Sequence, residues 1–333
     1  MGELYPLLMV PNFDPRPWGT NDLSPIYPNH RFDQKIGEAW LTGDDCKVAN
    51  GPLAGQTLAQ LSKKYERGLV GEAAPDAVRF PLLLKFLFPH EKLSVQVHPD
   101  DAQALKVGEP WGKTECWYVA YARPGSQIAL GLKPGTSVAQ LERSIHEERA
   151  EEVLNWISVY TGDMIYVAGG TVHTLGPGSV IVETQQQSDT TYRLYDYGRP
   201  RELHLKHGLA SVKEKVGSGK VVRAPGSPVA NSKNRRERLV AAPYFVVEMF
   251  ELKQPQAFTT RDESTKSAAQ ILVALEGCGI VQSPGSEPVT FGKGDAVVVP
   301  ASVEKFEVRP QWQVEFLQSR VPGFRLSEPE TRL

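Results

Sequence analysis

Four side chains able to hold a metal ion lie between residues 96 and 173. They are Gln96 and His98 in LSVQVHPDD, Glu115 in WGKTECWYV and His173 in GDMIYVAGGTVH. In an extended strand residues i and i+2 share a face, so Gln96 and His98 project together while Val95 and Val97 point the other way. Glu115 opens a second alternating run, with Trp117 and Val119 on its face and Cys116 and Tyr118 on the opposite one. His173 follows a Gly-Gly turn after the apolar run Met164 to Ala168. Strands of one barrel would bring the four together. Imidazole, carboxylate and amide donors without a thiolate suit a borderline divalent cation, zinc above others, with a position open for substrate. One histidine among the seven present carries little weight, because most histidines are surface or hydrogen-bonded residues. The combination and its order along the chain carry the reading.

The surrounding residues sharpen it. The pattern GDxxxVxxGTxH from Gly162 to His173 resembles the second cupin motif, and QVH stands where that superfamily has HxH. LSVQVHPDD (93–101), GKTECWYV (112–119), VHTLG (172–176) and ETQQQSDTTYRLYDYGR (183–199) together resemble the type I phosphomannose isomerases in their short bacterial form. WGT at 18–20, GEAW at 37–40 and FPLLLKFLFPHEKLSVQ at 80–96 extend the likeness over most of residues 1–210. The resemblance implies a zinc-dependent aldose–ketose isomerase that interconverts mannose 6-phosphate and fructose 6-phosphate, with one zinc per chain on Gln96, His98, Glu115 and His173. It implies Arg193 as the catalytic arginine, with Lys113, Glu183 and Asp189 as further catalytic residues. Lys85, Ser94 and Arg199 stand where the family contacts the substrate phosphate. The chain departs from the family in lacking the long helical insertion of the larger members, in having Thr114 where their KPE motif has proline, and in Gly43, where relatives have a serine nearby. Neither the missing insertion nor Gly43 touches a proposed ligand.

The elements that must position these residues are mostly strands. Short β-branched or aromatic runs punctuated by Pro and Gly recur along the chain, as in sandwiches and barrels. With the resemblance, this gives a mainly β fold of two cupin-type (jelly-roll) β-barrels with a few short helices. One helix is expected after a Thr57 cap, with Leu58, Leu61 and Tyr65 on one stripe and Gly68 near its end. An interrupted one is expected after Thr136 or Ser137, over SVAQLERSIHEERAEEVLNWI. A shift to Lys, Arg, Gly, Pro and Ser marks residues 212–238 as a basic linker between a catalytic unit, 1–211, and a C-terminal unit, 239–333. In the latter, Gly294-Asp295 followed by VVVPA repeats the logic of GDMIYVAGG, but no histidine follows His207. A degenerate second cupin without metal ligands is expected there.

Composition sets further bounds. The 333 residues, 41% hydrophobic and 23% charged, can bury two cores. A net charge of −2 offers no footprint for nucleic acid. The apolar stretches fall far short of the ~20 residues of a membrane-spanning helix, and MGELYPLLMVPNF lacks the basic start and apolar run of a targeting segment. Three widely spaced cysteines without a CxxC fit a reducing cytoplasm. The resemblance implies a small phosphosugar as partner, with the chain expected as a monomer or homodimer and without membrane association. Two other functions fit such a fold: a metal-dependent cupin oxygenase, and a non-catalytic sugar-binding or regulatory cupin. Gln in the ligand set and the neighbouring Lys, Arg and Ser speak against the first, and intact Glu115, His173 and Arg193 against the second.

Overall fold

The computed structural model describes residues 4–223, 226–229, 232–261 and 265–333. The chain is mainly β with few helices, and its antiparallel strands form three sheets. An eight-stranded sheet runs in the order Asn12–Thr20, Ile36–Trp40, Leu82–Leu87, Ser179–Gln186, Glu115–Ala122, Met164–Val167, Gly219–Val221 and Thr331–Arg332. A five-stranded sheet runs Tyr192–Tyr195, Val95–Val97, His173–Leu175, Gln127–Leu132 and Leu154–Ser158. The third, nine-stranded sheet is built around the long strands Gln270–Gln282 and Lys305–Arg320.

Period-two alternation decides which way each strand faces. In Glu115–Ala122, Trp117 and Val119 pack with Ile128, Leu130, Leu175 and Ile181 between the first two sheets, whereas Cys116 and Tyr118 belong to a different apolar cluster. Leu82–Leu87 divides in the same way: Leu87 joins the inter-sheet cluster, and Leu82, Leu84 and Phe86 join the other. Lys85 therefore shares the inward face with Leu87, as Glu183 does with Ile181 on the neighbouring strand. The five-stranded sheet turns Val95, Val97 and Leu194 toward Leu141 and Ile145 of a covering helix, leaving the alternate residues to the interior. Polar side chains thus enter the space between two sheets at the end where apolar filling stops.

Both expected helices form, each on a capping box. Thr57 caps Leu58–Tyr65 with Gln60 reciprocating, and Ser137 caps Val138–His146 with Gln140 reciprocating. The second is shorter than expected: it stops at His146, a 3-10 turn follows at Ala150–Val153, and LNWI, expected as its last turn, lies instead in the strand Leu154–Ser158 paired with Gln127–Leu132. The described residues of 212–238 include regular strands that the composition does not suggest. Gly219–Val221 is a strand between Met164–Val167 and Thr331–Arg332. Its approach is close, since a Cβ on Gly219 would lie 2.7 Å from the Arg332 carbonyl oxygen. Lys220 pairs with Asp163 at 2.6 Å. Arg235 and Arg236 already belong to the strand Arg235–Ala241. Both chain ends cross over. Leu7–Leu8 pairs with Ala296–Val299 in the nine-stranded sheet, while Thr331–Arg332 closes the edge of the eight-stranded one.

Among the described residues no helix is long and apolar enough to cross a membrane.

Candidate active site

Register brings the ligand candidates together across the two sheets. His173 lies directly opposite Gln96, and Gln96 opposite Arg193, on three neighbouring strands of the five-stranded sheet. Glu115 faces them from the eight-stranded sheet, where Gln185 is its partner. His98, Glu115 and His173 are fully buried, and their donor atoms lie within 4.8 Å of one another. His98 Nε2 is 3.4 Å from Glu115 Oε2, and His173 Nε2 is 3.5 Å from Glu115 Oε1.

Each imidazole is oriented from behind. His98 Nδ1 donates to the Thr190 carbonyl at 3.0 Å, and His173 Nδ1 to the Thr171 carbonyl at 2.9 Å. Those bonds fix the proton on Nδ1 and leave both Nε2 lone pairs aimed at the Glu115 carboxylate, the arrangement metal-ligating histidines use. Burial pushes the His173 imidazole down to about 4 and holds His98 well below its usual range, so both are neutral. Both Glu115 oxygens are buried, and Oε1 has no hydrogen-bond donor, while Oε2 meets only the Lys113 ammonium. Burial, with Glu183 nearby, pushes this carboxyl up to about 8. Two neutral imidazoles and a buried carboxyl form a donor set suited to a divalent cation. Lys113 approaches it, its Nζ lying 3.0 Å from His98 Nε2 and 3.1 Å from Glu115 Oε2. Gln96 reaches the same point, its Nε2 3.2 Å from His173 Nε2, and a half-turn of the amide would present Oε1 there instead.

Of these groups Gln96, Lys113 and His173 line a cleft of about 450 Å³, with His98 and Glu115 behind them; the cleft also takes in Lys85, Ser94, Glu183, Asp189 and Arg193. Lys85 is buried and surrounded by carboxylates, with Glu183 at 3.4 Å, Glu38 at 3.6 Å and Asp189 at 3.7 Å. Burial alone would lower its pKa, but Glu38 and Glu183 outweigh it and raise it. Burial would likewise raise the Glu38 carboxyl, yet Lys85 and Arg16 overcome that and hold it at about 2. Trp117 Nε1 donates to Glu183 Oε2 at 2.9 Å, and Lys113 is 4.0 Å from Glu183 Oε1. Arg193 donates from Nη1 to the Glu202 carbonyl at 2.8 Å. Burial and Arg201 lower its pKa, a shift that leaves a guanidinium cationic at neutral pH.

Arg199 behaves differently from the other expected residues. Its guanidinium donates to the Asp196 and Lys92 carbonyls at 3.1 and 2.7 Å, and it does not line the cleft. Arg201, two residues on, does line it, held by Asp196 through two bonds of 2.6 Å. Arg16 and Glu38 also line the cleft and were not singled out from the sequence. Glu38 carried a signal, an acidic residue inside the strand-like run GEAW. Arg201 carried none, because its place depends on a loop.

Comparison with known proteins places this geometry in a lineage. The family model for the catalytic domain of type I phosphomannose isomerase matches residues 18–118. The mannose-6-phosphate isomerase ManA of Bacillus subtilis is 32% identical over 324 residues, 91% of this chain and 95% of that protein. The crystal structure of mannose 6-phosphate isomerase from Bacillus subtilis superposes with a TM-score of 0.83 at 28% identity, over 95% of this chain and 99% of that one. A holo, zinc-bound mannose 6-phosphate isomerase shares the fold, with a TM-score of 0.72 at 15% identity over 94% of this chain and 99% of the other. With nearly its whole length matched by a relative about one-third identical, the chain belongs to the type I mannose-6-phosphate isomerase family.

Proposed function

We propose that the cleft holds one zinc ion and interconverts mannose 6-phosphate and fructose 6-phosphate. The observation that carries this reading is the pair of neutral, carbonyl-anchored imidazoles turned onto the buried Glu115 carboxyl, all three donor groups lying within 4.8 Å of one another. His98, Glu115 and His173 would hold the ion, with Gln96 as fourth ligand through Oε1. When bound, zinc supplies the positive charge that an enediolate needs at its oxygens. Arg193, anchored by the Glu202 carbonyl, stays cationic and donates hydrogen bonds to the developing oxyanion, so it stabilises charge and does not act as the base. Lys113 and Glu183 are opposite in charge, buried and 4.0 Å apart, and are the groups we assign to proton movement between C1 and C2. Asp189 helps to neutralise Lys85 at the cleft wall.

For the phosphate, Ser94 and the cationic wall of the cleft are the proposed contacts. Lys85 contributes positive charge that three carboxylates already share, Arg201 lies in the lining, and Arg199 supports the loop through Asp196. We read the chain as two cupin-type units, the second without metal ligands, joined through 212–238.

The test is a coupled assay for fructose 6-phosphate formed from mannose 6-phosphate, with and without chelator. Turnover that chelation abolishes and zinc restores is expected. Turnover indifferent to a strong chelator would overturn the metal reading, and absence of turnover in zinc-loaded protein would favour a binding role.

A further inference from the structure

The segments that carry the metal candidates meet at residues 99–101, which follow His98 directly. Gly112, ahead of Glu115, and Gly169, ahead of His173, both press on this backbone. A Cβ on Gly112 would lie 2.5 Å from the Asp100 carbonyl carbon, and one on Gly169 would lie 2.7 Å from the Asp100 Cα. Lys113 N donates to the Pro99 carbonyl at 2.9 Å, and Gly170 N to the His98 carbonyl at 2.8 Å. The Asp101 carboxylate then fixes the backbone on both sides of Lys113. Its Oδ1 accepts from Gly112 N at 2.8 Å and from Gln186 Nε2 at 3.0 Å, while Gln186 Oε1 accepts from Thr114 N at 2.8 Å. Lys213 steadies the same segment through Asp100 at 2.6 Å.

The other Asp101 oxygen is held from the nine-stranded sheet. Tyr244 lies in the connection between the strands Arg235–Ala241 and Val246–Leu252, and its hydroxyl donates to Asp101 Oδ2 at 2.6 Å. Its ring packs against the apolar cluster that includes Phe86, Phe245 and Ile271, which gives the hydroxyl a fixed base. Burial and the Asp101 carboxylate raise the phenol pKa, so the proton stays available for donation. Hydrogen bonds to a charged group are stronger than those between neutral groups. A side chain of one sheet thus grips the carboxylate through which segments of the other two are aligned, and outer contacts of this kind orient the ligands of a metal.

We propose that Tyr244 is a positioning residue which, through Asp101, holds Lys113 and the ligands His98, Glu115 and His173 in register, an inference that rests on the zinc isomerase reading. The test compares the full-length parent, Tyr244→Phe, Asp101→Ala and the double variant. Zinc affinity is measured by competition with a chelator of known strength, and kcat and KM with mannose 6-phosphate. Tyr244→Phe keeps the ring packing and removes only the donor. It should weaken zinc binding and lower kcat by ~10-fold each, the lower end for outer partners of a metal site, with KM changed by no more than about twofold. In the Asp101→Ala background the same replacement should change either quantity by less than about twofold, because the path to the ligands is already cut. Tyr118→Phe is the control: it removes another hydroxyl that reaches the nine-stranded sheet, at Met249 Sδ 3.4 Å away, and should match the parent in both measurements. Parental zinc affinity and kcat in Tyr244→Phe, the same loss with and without Asp101, or an equal loss in Tyr118→Phe would overturn the proposal. Should Asp101→Ala fail to fold, Tyr244→Phe against Tyr118→Phe decides alone. A parent that binds zinc without isomerase turnover would end the isomerase reading and leave the ratio of zinc affinities to decide this one, and a parent without zinc would end both.

Discussion

Replacing Lys85 by methionine removes a buried ammonium of nearly the same shape and leaves its carboxylates behind. Glu183 suffers most. Its Oε1 has no hydrogen-bond partner and, among the described residues, two cations near it, Lys85 at 3.4 Å and Lys113 at 4.0 Å. Glu38 keeps Arg16 at 3.2 Å and Trp40 Nε1 at 2.7 Å. Breaking a buried pair from one side costs about 3–5 kcal/mol, because the remaining charge is uncompensated. Neutralising that charge as well, in Lys85→Met/Glu183→Gln, should recover about 2 kcal/mol, within the coupling that contacting residues show. Urea denaturation at pH 7 of parent, both single variants and the double variant closes the cycle. A Lys85→Met variant within about 1 kcal/mol of the parent, or strictly additive losses, would mean that the ammonium does not compensate Glu183, and the account of the cleft wall would fail.

Other outcomes follow from the same geometry. His98→Ala and His173→Ala should each abolish tight zinc binding and activity yet keep a β-rich circular dichroism spectrum, since neither histidine is a member of an apolar cluster; elemental analysis of the parent should give one zinc per chain. Arg193→Ala should retain zinc while turnover falls at least ~100-fold, and Arg193→Lys should fail too, because a point charge cannot reproduce the guanidinium fork; near-normal kcat in either would remove Arg193 from the mechanism. Glu38, held at about 2 against an ordinary 4.5, contributes stability above pH 4.5 that is lost as pH falls toward 2. The loss is about 3 kcal/mol at 1.36 kcal/mol per pKa unit, and Glu38→Gln should flatten that acid limb in denaturation experiments.

The metal candidates were legible because strand alternation is a local signal. Gln96 and His98 flank Val97, and Glu115 shares a face with Trp117 and Val119, whatever the tertiary partners turn out to be. The capping boxes at Thr57 and Ser137 are local in the same sense. What stayed hidden depends on partners far away in the chain. Lys220 and Val221 look like linker by composition and become strand because Ile165 and Thr331 lie on either side of them. Arg199 and Arg201 are equivalent on paper. Only the path of the loop, with Asp196 gripping Arg201 through both oxygens, puts one in the cleft and turns the other to the Lys92 carbonyl.

The exchange of terminal strands has a consequence for how the molecule comes apart. A chain cut between its two halves would leave the Ala296–Val299 edge without Leu7–Leu8 and the Met164–Val167 edge without Gly219–Val221 and Thr331–Arg332 behind it. Each exposed edge would present unpaired backbone groups to other chains, a template for association. The apolar cluster holding Leu7, Phe86, Phe245 and Ile271 would be divided as well. The two halves are therefore mutual chaperones of each other's borders: neither is a separable module, loss of either end reaches the opposite sheet, and melting should run through both in one cooperative event.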